Sequence, residues 1–192
     1  MNTAAAGPSP WFLRHAAGLR AAAALGPIVD LACGRGRHTL ATAALGATSL
    51  GLDRDPAALG ALLCDARSRA LPGRIVAVRA DFETDRALPL RPESCGAILI
   101  FRYLHRPLAR QISGLLRPGG LLLYETFTED QRNLGYGPTN SAFLLRQGEL
   151  RALFPELQIM AYEEGRFAAE RPEALARLAA CRGEPRSSLS PG

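Results

Sequence analysis

The chain has 192 residues, 47% of them hydrophobic, which is enough for one domain with a full-sized core. Its formal net charge is +5, and all 23 basic residues are arginines scattered along the sequence. Only 6% of the residues are aromatic. Because nucleic-acid surfaces combine clustered basic residues with aromatic ones, this composition argues against a nucleic-acid partner.

Cysteine usage and the N-terminal segment bear on the location of the protein. The four cysteines lie far apart and show neither CxxC nor Cys/His spacing, so we predict no metal site and a reducing compartment. Arg14, His15 and Arg20 interrupt the alanine-rich start, which argues against a signal peptide or a membrane span. We therefore expect a cytoplasmic protein without a membrane partner, acting as a monomer or a homodimer.

The predicted elements begin with a helix after Ser9 and Pro10, which form an N-cap and first-turn pair. Its predicted buried face consists of Phe12, Ala16, Leu19 and Ala23. We predict a flexible N-terminus over residues 1–9, a single domain over residues 10–182 and a disordered tail over residues 183–192.

The stretch VDLACGRGRHT, residues 29–39, predicts a strand over 29–32, a tight turn over 33–36 and a helix over 37–45. Gly34 and Gly36 allow the backbone of the turn to approach a bound molecule closely. A dinucleotide site has the same outline, but the position of its third glycine holds Thr39. Asp30 would also repel a pyrophosphate in a low-dielectric cleft. The same carboxylate would attract S-adenosylmethionine, which carries an ammonium and a sulfonium and no phosphate.

Further strands follow at regular intervals, with helices between them. They are predicted over residues 48–55, 74–80, 96–101 and 121–125. Asp53 lies at the carboxyl end of the second strand, where an acid accepts ribose hydroxyls in nucleotide-binding α/β folds, while Asp55 caps the next helix. A helix starts at Pro107 and is stopped by the run Pro118, Gly119, Gly120. Five alternations predict an open, doubly wound parallel sheet.

The C-terminal part of the chain is less regular. Residues 126–147 are polar and glycine-rich, and loops of that length are usually functional or disordered. We expect this segment to be a mobile lid over a ligand pocket, with Tyr136 and Arg146 reaching inward. The alternatives are a rigid surface loop and a subunit contact. Residues 158–162 predict another strand, whereas residues 172–181 have helical propensity.

Several segments carry a resemblance to a known family: DLACGRGRH (residues 30–38), RADFE (79–83), FRYLHRPL (101–108), and YETFTEDQ (124–131) followed by GPTNSAFLLRQGEL (137–150). Over roughly residues 25–165 the chain resembles the class I S-adenosylmethionine-dependent methyltransferases, and within them the small tellurite-resistance-like enzymes of bacteria. The resemblance implies an α/β, Rossmann-like, mostly parallel seven-stranded sheet with an antiparallel last strand around residues 175–181. It also implies S-adenosylmethionine as the cofactor.

The predicted cofactor site combines these motifs. Asp30 faces the methionine ammonium, and the resemblance implies that Asp81 and Phe82 bind the adenine. Arg54 either stacks on the adenine or is solvated, and Arg37 pairs with either the cofactor carboxylate or Asp30. The predicted cofactor contacts are Asp30, Ala32, Gly34, Gly36, Arg37, Asp53, Arg54, Asp81, Phe82 and Phe101.

Candidate catalytic residues follow the fourth strand and close the fifth. Tyr103 and His105 lie where methyltransferases of this class place substrate-contacting groups, although His105 equally suits a cap for the next helix. Glu125 ends an apolar strand, so it must be paired, protonated or directed into a cleft, and Arg102 or Arg146 could form a purely structural bridge with it. The candidate catalytic residues are Tyr103, His105 and Glu125, and the candidate substrate contacts are Arg102, Tyr103, Tyr136 and Arg146.

The predicted reaction is in-line transfer of the sulfonium methyl group to a small-molecule acceptor such as a thiol or a chalcogen oxyanion. Positioning supplies most of the acceleration in such a reaction. A soft acceptor needs no general base, whereas a hydroxyl or an amine does. Two alternatives stay open: a non-catalytic module that binds the cofactor, and a nicotinamide-dependent oxidoreductase, which Asp30 and Thr39 disfavour.

Overall fold

The computed structural model describes residues 7–84, 88–168 and 171–183. Within them, the α-helices are α1 (Pro10–Arg14), α2 (Ala16–Ala23), α3 (Arg37–Ala44), α4 (Pro56–Arg67), α5 (Ala109–Leu115) and α6 (Glu149–Ala152). The strands are β1 (Ile28–Leu31), β2 (Ser49–Asp53), β3 (Ile75–Arg79), β4 (Cys95–Phe101), β5 (Leu116–Phe127), β6 (Gln158–Phe167) and β7 (Glu173–Cys181). Short 3₁₀ helices span Arg106–Leu108, Glu129–Leu134 and Ser141–Phe143.

In these described ranges the seven strands form one sheet in the order β3-β2-β1-β4-β5-β7-β6. Strand β7 runs antiparallel to both of its neighbours, β5 and β6, while the pairs among β1 to β5 are parallel. The predicted Rossmann-like, mostly parallel sheet with an antiparallel last strand is therefore confirmed. Strand order reverses between β1 and β4, and open α/β sheets bind their ligands at the carboxyl ends of the strands beside such a point.

The core lies on both faces of the sheet, as the fully buried strand β4 shows. Ile98 and Ile100 belong to the hydrophobic cluster on one face. Leu99 and Phe101 belong to the cluster on the other face, together with Trp11 of α1. Because successive strand residues point to opposite faces, a central parallel strand must be apolar throughout.

The single N-terminal helix that the sequence predicts is two helices in the structure, α1 and α2, which meet at His15. Ser9 caps α1 as predicted, because its hydroxyl accepts a hydrogen bond from the Trp11 N–H. The break interrupts the 3.6-residue period, so the buried residues are Trp11, Phe12, Leu19 and Ala22 rather than Phe12, Ala16, Leu19 and Ala23. Most of the predicted flexible N-terminus and of the predicted disordered tail, residues 1–6 and 184–192, lies outside the described residues.

Strand β5 is longer than predicted and includes Pro118, Gly119 and Gly120. Helix α5 already ends at Leu115, because Leu116 pairs with Cys95 of β4. The backbone around the two glycines also exchanges hydrogen bonds of 2.8 and 2.9 Å with residue 182. Tertiary pairing thus sets the start of this strand before the proline.

The ambiguous segment over residues 172–181 is a strand, as the resemblance implies. Strand β7 lies between β5 and β6, and its residues 174–180 are all buried. Hydrogen bonding along both edges of the strand outweighs the helical propensity of its alanine, leucine and arginine residues. Strand β6 also extends past the predicted residue 162, to Phe167.

No helix among the described residues combines the length and the hydrophobicity needed to cross a membrane.

Candidate active site

A cavity of about 410 Å³ opens at the carboxyl ends of strands β1 to β5. Its volume is in the range of small-molecule sites. From β3 across to β5, the lining residues at or just past the strand ends are Asp81, Asp53, Ala32, Arg102 and Phe127. The strand order therefore arranges them in a row. We call Asp53, Asp81 and Glu83 the acidic end of the cavity, and Leu104, Phe127, Pro138 and Phe143 its apolar end.

Asp53 is held in place by two backbone hydrogen bonds. Its carboxylate accepts from the N–H of Gly34 at 2.7 Å and from the N–H of Asp55 at 2.9 Å. A carboxylate has about four lone-pair sites, so Asp53 keeps acceptor capacity toward the cavity. Asp55 caps helix α4 as predicted, because its side chain accepts from the Ala57 N–H at 2.8 Å.

The loops after β2 and β3 are joined across the rim of the acidic end. Arg54 pairs with Glu83 at 2.9 Å, and both side chains are largely exposed. Asp81 accepts a hydrogen bond from the Glu83 N–H, which fixes the turn that carries Phe82. The rings of Phe82 and Tyr103 meet edge to face with centroids 6.2 Å apart. This geometry presents an aromatic wall beside an exposed carboxylate acceptor.

The two glycines of the turn have different surroundings. Gly34 has φ +54°, and a Cβ added there would meet no atom within 4 Å. Gly36 has φ +75° and begins helix α3, and a Cβ there would lie 2.4 Å from Leu62 Cδ1. The turn therefore leaves room for a ligand above Gly34, whereas Gly36 is required by packing as well as by its backbone conformation.

Asp30 is buried behind the turn, and its partner is Thr39. The Thr39 hydroxyl donates to Asp30 Oδ2 at 2.7 Å. Burial raises the pKa of Asp30 to about 7, and the Thr39 hydrogen bonds oppose that rise. Thr39, the residue that breaks the dinucleotide pattern, thus positions the acid that suits a cationic ligand.

Arg37 is half-buried in the first turn of α3, and its side chain forms no salt bridge or hydrogen bond with the described residues. Burial lowers its pKa, and the positive charge of Arg102 adds to this effect. The predicted alternative of a pair with Asp30 is not formed. An unpaired guanidinium beside the glycine turn is suited to a ligand carboxylate.

His38 and Phe101 pack under the N-terminal segment. Their rings stack with centroids 3.7 Å apart, and His38 Nε2 accepts a hydrogen bond from the Ser9 N–H at 3.1 Å. Burial lowers the pKa of His38 to about 3, so the ring is neutral. Phe101, a predicted cofactor contact, is buried in this stack and does not line the cavity.

Glu125 is also buried, with 1% of its side chain exposed. Its Oε2 accepts hydrogen bonds from Arg177 Nε at 2.8 Å and from the Ser9 hydroxyl at 2.9 Å. Its Oε1 lies 3.8 Å from Arg102 Nε. The predicted bridge between Glu125 and Arg102 is therefore present, and Arg177, which the sequence did not indicate, is the closer partner.

Arg102 lies at the boundary between the two ends of the cavity. Its φ is +60°, a left-handed conformation that is uncommon for a residue other than glycine. Two of its nitrogens donate to the two carboxylate oxygens of Glu173, each at 2.6 Å. Its guanidinium also lies 4.7 Å from the centre of the Phe127 ring. Glu173 therefore matches the positive charge of Arg102, while the Nε of Arg102 is buried and has no hydrogen-bond partner among the described residues.

The remaining catalytic candidates differ in position. Tyr103 lines the cavity, and burial, followed by the charge of Glu83, raises its pKa to about 12. Its phenol therefore keeps its proton at neutral pH. His105 occupies the N-cap position of the Arg106–Leu108 turn, but its side chain makes no capping hydrogen bond, and it does not line the cavity.

The segment over residues 126–147 has definite structure. The buried Gln131 side chain donates to the Tyr136 carbonyl and accepts from the Ala174 N–H. Thr128 and Leu145 form an isolated parallel bridge. Tyr136 packs against Arg171, with the guanidinium 4.1 Å from the ring centre, and Arg146 is exposed. The residues of this segment that line the cavity are Phe127, Pro138 and Phe143 instead.

The structure thus brings together part of the predicted site. The predicted residues that line the cavity are Ala32, Asp53, Arg54, Asp81, Phe82, Arg102 and Tyr103. Those that do not are Asp30, Gly34, Gly36, Arg37, Phe101, His105, Glu125, Tyr136 and Arg146. The apolar end was missed, although Phe127, Pro138 and Phe143 all lie in the predicted lid over residues 126–147. Within the described part of the chain, no group of three His, Cys, Asp or Glu residues could hold a metal ion.

Comparison with known proteins agrees with this geometry. Residues 28–120 match a family model described as a methyltransferase domain. Among curated proteins, none matches the chain in sequence.

Three solved structures illustrate the shared fold. An S-adenosylmethionine-dependent methyltransferase from Methanosarcina mazei has a TM-score of 0.68 at 17% identity, covering 83% of this chain and 93% of that one. TehB from Haemophilus influenzae has a TM-score of 0.68 at 18% identity, covering 88% and 62%. The N-methyltransferase NodS from Bradyrhizobium japonicum has a TM-score of 0.64 at 14% identity, covering 92% and 98%.

The family match and the shared fold point to the same class: residues 28–120 are similar to a methyltransferase domain, and the sheet is shared with S-adenosylmethionine-dependent methyltransferases. Identities below 20% describe the fold and leave the acceptor open, so the acceptor has to be argued from the cavity.

Proposed function

We propose that the chain transfers the methyl group of S-adenosylmethionine to a small, soft nucleophile, either a thiol or a chalcogen oxyanion. One observation carries the proposal: in the described lining of the cavity, the carboxylates Asp53, Asp81 and Glu83 all lie at the ends of β2 and β3, and no carboxylate or histidine lines it at the ends of β4 and β5.

The proposed placement of the cofactor follows the row of strand ends. Asp53 accepts the ribose hydroxyls, and Asp81 and Phe82 hold the adenine. Arg37 pairs with the methionine carboxylate, because it has a free positive charge beside the glycine turn. Asp30 balances the methionine ammonium from behind the turn. When bound, S-adenosylmethionine supplies an activated methyl group on its sulfonium.

The main contribution of the protein to the proposed reaction is to position the acceptor. None of the three candidate proton acceptors is suited to act as a general base, because Tyr103 keeps its proton, His105 lies outside the cavity and Glu125 is buried in an ion pair. A thiol ionises by itself near pH 8.5, so a thiolate can attack without a general base. Holding the nucleophile in line with the methyl group then supplies most of the rate.

A small molecule suits this cavity better than a nucleic acid. Asp53, Asp81 and Glu83 give the acidic end a negative charge, and Arg54 is the cation that offsets it in the described lining. A phosphate backbone approaching that rim would be repelled, and the effect would be larger at low salt.

The pH dependence of turnover with a series of thiols of different acidity tests the proposal. We expect kcat/KM to rise with pH, and the midpoint to move with the pKa of the thiol used, because no protein group takes the proton. Formation of S-adenosylhomocysteine is the readout. A midpoint that stays at one pH for all thiols would show that the protein supplies a base and would contradict the proposal.

A further inference from the structure

The apolar end of the cavity offers hydrocarbon and aromatic surface to an acceptor. Leu104, Phe127, Pro138 and Phe143 form it, and the one cation beside it in the described lining is Arg102. An oxyanion acceptor would need that guanidinium as its partner. The charge state of Arg102 therefore decides between the two acceptor classes of the proposed function.

Neighbouring carboxylates neutralise the positive charge of Arg102, so little of it is available to attract an oxyanion. Glu173 accepts two hydrogen bonds from it at 2.6 Å, and Glu125 lies 3.8 Å from its Nε. Arg177 pairs with Glu125 in turn and also lies 3.5 Å from Glu163, which pairs with Arg14. The three acids and three arginines of this network sum to zero charge. An oxyanion bound here would lose its hydration without gaining a free cation, which is unfavourable.

A second observation concerns Phe143, a residue that is 48% exposed although it lines the cavity. It belongs to the short Ser141–Phe143 helix, which the Asn140 side chain caps at 2.9 Å. Arg106 donates to the carbonyls of Ala142 and Leu144, on either side of Phe143, at 3.0 and 2.9 Å. The backbone on both sides of Phe143 is thus fixed, which preorganises this residue as a contact for an apolar ligand.

We infer that the acceptor is an organic thiol with an uncharged, apolar body, that Phe127, Pro138 and Phe143 bind this body, and that Glu173 excludes anions by neutralising Arg102. This inference rests on the proposed function and selects one of its two acceptor classes. In this reaction the thiolate sulfur forms a bond to the methyl carbon, the bond from carbon to the sulfonium breaks, and S-adenosylhomocysteine leaves with the electron pair. The acceptor proton goes to the solvent.

The first experiment compares four acceptors with the purified protein at one pH: benzyl mercaptan, 2-mercaptoethanol, mercaptoacetate and tellurite. We expect kcat/KM to be highest for benzyl mercaptan, once each value is corrected for the thiolate fraction, and lowest for the two anions. Phe143→Ala should lower kcat/KM for benzyl mercaptan roughly 10-fold, the equivalent of one aromatic contact, and change that for 2-mercaptoethanol little. Met160→Ala removes an exposed side chain on β6 and serves as the matched control.

The second experiment tests whether Glu173 neutralises Arg102. Glu173→Gln keeps a hydrogen-bond acceptor for the guanidinium but removes its counter-charge. We expect kcat/KM for mercaptoacetate to rise roughly 10-fold, since a charge-assisted hydrogen bond becomes available, with the affinity for S-adenosylmethionine unchanged by calorimetry.

The outcomes separate the inference from the proposed function. If tellurite is methylated with a higher kcat/KM than benzyl mercaptan, or if Phe143→Ala lowers turnover of every acceptor equally, the inference is wrong and the proposed function stands. If the protein binds S-adenosylmethionine but methylates neither thiols nor chalcogen oxyanions, both fail.

Discussion

Glu125 and Arg177 lie directly opposite each other on strands β5 and β7, and their side chains are joined by a buried hydrogen bond of 2.8 Å. The pair links the last parallel strand to the antiparallel strand. The Ser9 hydroxyl also donates to Glu125, so the N-terminal segment is attached to the same carboxylate. These contacts assign Glu125 to the interior of the sheet, beside the cavity rather than within it.

We expect Glu125→Gln to destabilise the fold, because it leaves Arg177 buried without its main counter-charge. Breaking a buried pair costs about 3 to 5 kcal/mol, and the lower value is expected here because Glu163 also lies 3.5 Å from Arg177. Urea denaturation provides the measurement. The double variant Glu125→Gln, Arg177→Met should recover part of the loss. A variant of wild-type stability that binds the cofactor but has lost turnover would instead support a catalytic Glu125.

Asp53→Asn should weaken S-adenosylmethionine binding by roughly 10 to 150 fold, the equivalent of a charge-assisted hydrogen bond of about 1.5 to 3 kcal/mol. The amide keeps one oxygen for the backbone N–H groups, so the fold should persist. Asp55→Asn is the matched control, since asparagine also caps helices and Asp55 does not line the cavity. Equal calorimetric affinities for the two variants would contradict the proposal that Asp53 binds the ribose hydroxyls.

The raised pKa of Asp30 predicts a pH-dependent affinity for the cofactor. Below about pH 7 the buried carboxyl is protonated and cannot balance the methionine ammonium, so affinity should fall as the pH decreases, by at most about 10-fold per pH unit. Asp30→Asn should abolish this dependence. Thr39→Val should move the midpoint to higher pH, because the Thr39 hydrogen bonds lower the pKa. A pH-independent wild-type affinity between about pH 5.5 and 8 would contradict the pairing.

The same shift affects the stability of the cofactor-free protein with a definite sign. The folded pKa of Asp30 lies above its ordinary value of 3.8, so between these two pH values the unfolded chain binds fewer protons than the folded chain. The contribution of Asp30 to the free energy of unfolding is therefore complete below about pH 3.8 and is lost as the pH rises through about 7. Asp30→Asn should gain stability relative to wild type as the pH increases across this range, as thermal unfolding would show.

Gly34→Ala and Gly36→Ala form a matched pair, since both positions require a left-handed backbone. Gly36→Ala also places a methyl group against Leu62, so it should be less stable than Gly34→Ala by about 1 to 3 kcal/mol. Gly34→Ala should instead lose affinity for S-adenosylmethionine, because its methyl group enters the proposed ligand space. Equal stabilities and equal affinities in the two variants would show that the two glycines do not have separate roles.

Local sequence patterns alone were enough to predict the alternation of strands and helices and the acids at the strand ends. Periodicity within short windows can be recognised in a sequence. It indicates the apolar run before Asp30 and the regular spacing of strands and helices. The fold class and the positions of Asp53, Asp55 and Asp81 could therefore be predicted residue by residue.

Pairing between distant segments was decided only by the tertiary structure. The insertion of β7 between β5 and β6 places Arg177 opposite Glu125 and Glu173 beside Arg102, over sequence separations of 52 and 71 residues. No local signal distinguishes those partners from any other arginine or glutamate in a chain so rich in arginine. The sequence by itself therefore determined which acids lie along the sheet edge, where a ligand is proposed to bind. The register of an antiparallel strand, fixed by burial and hydrogen bonding on both of its edges, decided which charges remain free there.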